Sequence, residues 1–173
     1  MSTVRHVNLD HSRVRLVSSL SNKSKETSLE LDSHADTCCI GKHAFVFRDY
    51  DRPVSVYGYD SSLGSKEYRT VSAALGYTHP VTGQVYHLVV HQAIEIPHLD
   101  HHLLCPMQCR INDIVVNDCP KFLTKDPTAE THAIVSADPE SSTKTLILPL
   151  SLQGVTSYLP VHTPTREEWE SHY

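Results

Sequence analysis

Leu29-Glu30-Leu31-Asp32-Ser33-His34-Ala35-Asp36-Thr37-Cys38-Cys39-Ile40 is the stretch that decides how this chain is read. Leu29 and Leu31 alternate with a polar residue, the period-two pattern of a strand with one buried face. Cys38-Cys39-Ile40 forms a second apolar run, and the polar residues from Asp32 to Thr37 lie between the two as a tight loop. A carboxylate is thereby held at the end of an apolar strand, with a hydroxyl residue, Ser33, directly after it. An acid in that position is useful when it faces a second one. Two such carboxylates at close range cannot both ionise, so they share a proton and act together as acid and base. The same residues also suit an Asx or Ser turn joining two strands, with no chemistry attached. Spacing alone leaves both readings open.

Downstream, Val54 to Tyr57 alternates, and Tyr68 to Val71 does so again after Asp60-Ser61-Ser62-Leu63-Gly64. Two strands around that Ser- and Gly-containing turn predict a long hairpin. Val71, Ala73 and Leu75 then lead into the turn-rich Thr78 to Gly83, and Val85 to Ile96 returns as a strand rich in β-branched residues and Tyr. One short helix is expected from Pro106 to Asn112, with its proline in the first turn, and Ile114-Val115-Val116 as the final core strand. Thr124 to Thr145 is full of Thr, Ser, Asp, Glu and Pro and reads as a linker or a loosely packed excursion. Leu146 to Leu150 is an apolar patch that suits an added strand, and the polar residues from His162 onward suit a frayed end. The organisation expected is a polar N-terminal segment (1–24), a β domain (25–120) and a linker or tail (121–173) with a possible added strand at 146–150.

The chain has 173 residues, enough for one domain with polar termini. No stretch approaches the roughly 18 apolar residues of a membrane span. Met1 to Leu20 carries Arg5, Arg13 and Arg15 but no apolar block, and is not read as a secretory signal. A net charge of −5 argues against a surface built for nucleic-acid phosphates. Five cysteines, at 38, 39, 105, 109 and 119, are an odd number and suit reduced, buried thiols rather than a disulfide framework. A cytoplasmic chain with no membrane and no nucleic-acid partner is the expectation.

The loop resembles the active-site segment of the retropepsins, in which an apolar strand enters Asp-Ser/Thr-Gly-Ala. It is closer still to copia-type retrotransposon proteases, where Leu-Asp-Ser is followed by Ala one residue later. The apolar lead-in, Asp32, Ser33, Ala35 and Asp36 carry the match. Ile96-Pro97-His98-Leu99 followed by Leu103-Leu104-Cys105-Pro106-Met107-Gln108 resembles a second motif of the same proteases, and the similarity spans roughly residues 25–118. The resemblance implies a retropepsin-like closed β-barrel or sandwich with a flap hairpin and one short helix. It implies an aspartic endopeptidase that cleaves its own retrotransposon polyprotein in a virus-like particle. Only one such loop is visible, so a homodimer would supply one Asp32 from each chain. Ser33 would brace the two loops, with His34, Ala35 and Asp36 beside them, Ala35 and Asp36 lining the substrate backbone. Tyr57, Gly58, Tyr59 and Gly64 would form the substrate-covering flap, and Leu103, Leu104 and Cys105 the second motif. No cofactor and no metal are implied.

Two positions depart from the family pattern. His34 and Cys105 each stand where Gly is usual. A side chain at 34 either projects away from the carboxylate or adds a titrating group beside it. It also motivates an alternative, an inactive retropepsin-fold dimerisation module. A second alternative is a zinc-binding domain, because His98, Asp100, His101, His102, Cys105 and Cys109 crowd one segment. A third is a Cys-dependent hydrolase that would use Cys38 or Cys39 near His34.

Overall fold

The computed structural model describes residues 26–57, 62, 64–139 and 141–171, without the side chain of Ser142. The architecture is mostly β, with two short helices. The strand entering the loop is β1 (Glu26–Leu31), and the run after it is β2 (Cys39–Ile40). The first hairpin joins β3 (Phe45–Tyr57) to β4 (Ser65–Thr78), and the second joins β4 to β5 (Val85–Glu95). After β6 (His102–Leu104) comes the expected helix, α1 (Pro106–Ile111), with its proline at the first turn. Then follow β7 (Val115–Asn117), β8 (Ala133–Asp138), β9 (Ser141–Pro149), β10 (Ser151–Gln153), β11 (Thr156–His162) and α2 (Arg166–Glu170).

An eight-stranded sheet runs in the order β10-β11-β1-β6-β2-β5-β4-β3, and β7-β8-β9 form a separate three-stranded sheet. Leu29 and Leu31 of β1 pair in parallel with His102 and Leu104 of β6, which brings the two sequence motifs side by side. On its other edge β1 is antiparallel to β11, from Glu26↔His162 to Glu30↔Tyr158. A single further pair, His162↔Gly76, links β11 to β4. A Cβ at Gly76 would collide with the His162 ring, so glycine lets the strands approach with that ring where it lies. That link is one pair, not a continuous ladder, so the closed barrel is not established by the strand pairing. Pro53 lies in β3, at the edge of the sheet, where a missing N–H costs no ladder bond.

One buried cluster serves both sheets: Leu29, Ile40, Leu75, Tyr77, Leu104 and Leu159 from the large one pack with Val116, Ile134 and Leu148 from the small one. Among the described residues no helix is long and apolar enough to cross a membrane.

The chain after Pro120 differs from the expectation. Within the supposed linker, Ala133, Ile134 and Val135 of β8 are buried and pair with β7 and β9. The apolar patch at 146–150 is the end of β9, with Leu150 just beyond it. Ile114-Val115-Val116 is therefore not the last core strand; β7 is an edge strand in which only Val116 is buried. The residues from His162 do not fray among those described. Thr165 and Glu168 form a capping box, with the Glu168 N–H donating to Thr165 Oγ1 at 3.1 Å and the Thr165 N–H to Glu168 Oε2 at 2.7 Å. Five helical residues would not hold alone in water. Trp169 holds them by stacking on Phe47, with ring centroids 4.7 Å apart, and tilting against Phe45. The polar 1–24 segment lies outside the described residues.

Candidate active site

Asp32 closes β1. Its N–H donates to the Leu104 carbonyl at 3.0 Å, extending the parallel register by one step and fixing the carboxylate beside β6. The loop then folds on itself. The His34 N–H donates to Asp32 Oδ1 at 2.9 Å, and the Ala35 N–H to the Asp32 carbonyl at 3.4 Å. This is an Asx turn, one of the two readings the sequence left open, and it occupies one carboxylate oxygen. Asp32 and Ala35 are half-buried, whereas Ser33, His34 and Asp36 are exposed. His34 is absent from the four non-glycine residues with positive φ, so the loop does not hold it in the left-handed region. Its ring nitrogen Nδ1 lies 3.2 Å from Ser33 Oγ, at the exposed surface of the loop.

The loop is braced from behind by α1. The Cys38 N–H donates to Gln108 Oε1 at 2.8 Å, and Gln108 Nε2 donates to Thr37 Oγ1 at 3.1 Å. The Cys105 N–H donates to Cys38 Sγ at 3.3 Å. The second motif thus acts at two points: Leu104 anchors Asp32, and the start of α1 carries Gln108 to the far end of the loop. Leu103 pairs opposite Cys39, Leu104 and Cys105 are buried, and together they join the loop to the core. In the sequence Gln108 stands out only as part of a motif. Its position in the first turn of a helix that starts with Pro106 was the available signal for a bracing role.

The β3–β4 hairpin flanks this loop. A cleft of about 580 Å3 lies between Asp36 and Thr37 on one side and Val54, Val56 and Tyr57 of β3 on the other. Tyr57 is 73% exposed, and its pairing with Ser65 is the last described rung before the tip. Gly58 and Tyr59 lie outside the described residues. Gly64 has φ 69° with open space around a Cβ, the left-handed turn conformation that glycine accepts readily. At the other end, Arg69 of β4 clamps three strands. Its Nε donates to Glu95 Oε2 at 2.8 Å and its Nη1 to Asp49 Oδ2 at 2.8 Å.

The thiols beside the loop are held protonated. Burial, with the charges of neighbouring Cys38, Asp32 and Asp36, pushes Cys39 up to about 11, and burial raises Cys38 as well. A cysteine nucleophile acts as its thiolate, and burial disfavours that form at both thiols, which counts against the Cys-hydrolase alternative. All five cysteines are free; four are buried and Cys119 is exposed. The histidine-rich segment spreads out. His102 is buried under Gly41, whose N–H donates to its Nδ1 at 3.0 Å, while His101 faces Glu30 at 3.9 Å and Asp100 pairs with Lys42. Among the described residues no three His, Cys, Asp or Glu side chains converge on a point that could hold a metal ion, so the zinc alternative finds no donor set there. What the geometry assembles is one half-buried carboxylate, Asp32, on a braced loop whose far end, Asp36 and Thr37, lines a cleft that runs along a long hairpin. No family model matches this chain, and neither a curated protein nor a solved structure matches it.

Proposed function

We propose that this chain is a retropepsin-like aspartic endopeptidase that acts as a homodimer, each copy contributing Asp32, and cleaves the retrotransposon polyprotein to which it belongs. The observation that carries the proposal is the position of Asp32. It sits at the end of β1, anchored to Leu104 of the second motif, on the loop that borders the cleft along the β3–β4 hairpin. In the dimer the two carboxylates share a proton; the ionised one takes a proton from water as it attacks, and the protonated one polarises the scissile carbonyl. Aspartic proteases are themselves the best-known example of such shared-proton pairs, so this step is carried over from the resemblance. The substrate is an extended polypeptide, and the hairpin excludes water by closing over it. Processing takes place in a cytoplasmic virus-like particle, with no cofactor.

The inactive-module alternative also has an observation in its favour, since Asp32 Oδ1 already serves the His34 N–H as a turn acceptor. Asp32→Asn separates the two. An asparagine oxygen can still accept that bond, so the fold and melting temperature are retained. An amide cannot activate water or share the proton, so cleavage of a polyprotein fragment is abolished. A variant that cleaves at the wild-type rate overturns the proposal. A wild-type protein that cleaves nothing between pH 4 and 7 supports the inactive module.

A further inference from the structure

The cleft along the hairpin does not end at Thr37. A second cavity of about 610 Å3 shares both Thr37 and Gln92 with it and continues between β5 and α1. Its walls are mixed: Val89, Val90, Leu104, Ile114 and the thiols of Cys38 and Cys109 form an apolar part, and His91, Gln108 and Asn112 join Thr37 and Gln92 in a polar part. Burial pushes Cys109 up to about 12, so these thiols present neutral S–H groups. The apolar part suits an aliphatic side chain, and with no Lys, Arg, Asp or Glu among the lining residues the cavity offers a charged side chain no ion-pair partner.

Gln92 stands at the neck between the two cavities, and its backbone is unusual. It sits inside β5 at φ 55°, where the β4–β5 register shifts between Val71 and Ala73. The stretch of β5 from Val90 to Ala93 is one residue longer than the stretch of β4 it opposes, Ala73 to Val71, so Gln92 belongs to a bulge. Bulges that need a left-handed residue usually take glycine. Gln92 is exposed, and its amide makes no hydrogen bond within the described residues. A strained position filled by a long polar side chain, without a partner there and shared by two cavities, points to a ligand.

We propose that the second cavity is a distal subsite of the same peptide groove, taking an aliphatic side chain of the bound polypeptide while the Gln92 amide hydrogen-bonds that peptide's backbone at the neck. An amide suits this role because it both donates and accepts, as a peptide group does. The occupant follows from continuity: an extended chain lying in the first cleft reaches the second past Thr37 and Gln92. The identification of the ligand as polypeptide rests on the protease reading of Asp32.

The test uses the full reduced chain and a probe that needs no catalysis. N-acetyl-leucine N-methylamide is titrated against methyl-labelled protein, with N-acetyl-aspartate N-methylamide as control. The leucine probe should shift the methyl signals of Val89, Val90 and Ile114 saturably, and the aspartate probe should not. Val89→Trp, which fills the cavity, should weaken the leucine probe at least tenfold. Gln92→Gly should weaken it several-fold while raising the melting temperature, because glycine relaxes the bulge; this variant carries the test if Val89→Trp does not fold. No saturable shift, or equal affinity in the folded variants, overturns the subsite. A second arm profiles cleavage of a randomised peptide library. Loss of an aliphatic preference away from the scissile bond in Gln92→Gly supports the subsite. An unchanged profile from an active enzyme overturns it and leaves the protease reading standing. A wild-type protein that cleaves no library member counts against the protease reading alone, and the titration then decides whether the cavity binds an aliphatic side chain.

Discussion

His34 and His102 are both histidines near the loop, and burial gives them opposite characters. His34 is exposed and contributes its N–H, not its ring, to the Asx turn. Glycine has the same N–H, and position 34 needs no left-handed backbone. His34→Gly should therefore fold, losing no more than about 1 kcal/mol to the greater freedom of the unfolded chain. Cleavage by this variant should be unchanged or higher; loss of cleavage with the fold intact would give His34 a direct catalytic part. His102 is fully buried, and its Nδ1 accepts from the Gly41 N–H, which requires a neutral ring. Burial lowers its pKa from 6.5 to about 4, against the raising effect of a backbone hydrogen bond with His43 and with smaller help from the charges of His43 and His101. The unfolded chain then binds the proton first as pH falls. The stability due to the neutral ring is complete above about pH 6.5 and is lost between there and about pH 4. The loss is about 3 kcal/mol at most, from the energy per pKa unit. His132 shifts in the same direction through burial and adds to the slope. Urea melts at pH 7, 5.5 and 4 should show this decline, and a flat profile would refute it. Acid-side proteolysis would then be limited by folding as well as by carboxylate protonation.

At the level of elements, β11 occupies a position that its distance in sequence conceals. It supplies the antiparallel neighbour of β1, the strand that delivers Asp32, and it buries Leu159 and Val161. Leu159→Ala should cost about 2–5 kcal/mol, the usual range for emptying a buried leucine site, read by chemical denaturation. Ending the chain after Pro120 removes β8 to β11 and α2 together. It strips Leu148, Ile134 and Leu159 from the core and leaves one edge of β1 unpaired. Such a fragment should fail to give a cooperative melt, and a well-folded fragment would return residues 121–173 to the role of a linker. The helix α2 matters less to the site. Trp169 is only half-buried, and the rings it covers, Phe45 and Phe47, lie at the start of β3, away from the Val54 to Tyr57 end that borders the cleft.

For the whole molecule, the proposal turns on one carboxylate per chain. Half of a dyad does nothing alone, so activity per chain should fall on dilution toward a monomer demonstrated by sedimentation. A rate per chain that stays constant through that range would exclude a shared site. The loop itself needs no partner to form, because Leu104 and Gln108 of the same chain hold it. Dilution should accordingly remove activity before it removes structure, a separation that circular dichroism at the same concentrations can record.

The local parts of this architecture were legible in the sequence because they depend on neighbours. The period of Leu29 and Leu31, the turn residues of the two hairpins and the proline at the start of α1 each act within a few residues. The pairing of β1 with β11 joins residues as far apart as Glu26 and His162, and the polar surroundings of β11 resemble those of a tail. Ala133-Ile134-Val135 was the apolar run that could have flagged β8 inside the supposed linker. The candidate carboxylate was likewise legible, as a residue at the end of an apolar strand. What only the tertiary structure decided was what surrounds it: Leu104 at its N–H, Gln108 behind the loop, and Gln92 between two cavities. A sequence pattern reports which face of a strand is buried, but the identity of the neighbour across a sheet is set by the packing of the whole chain.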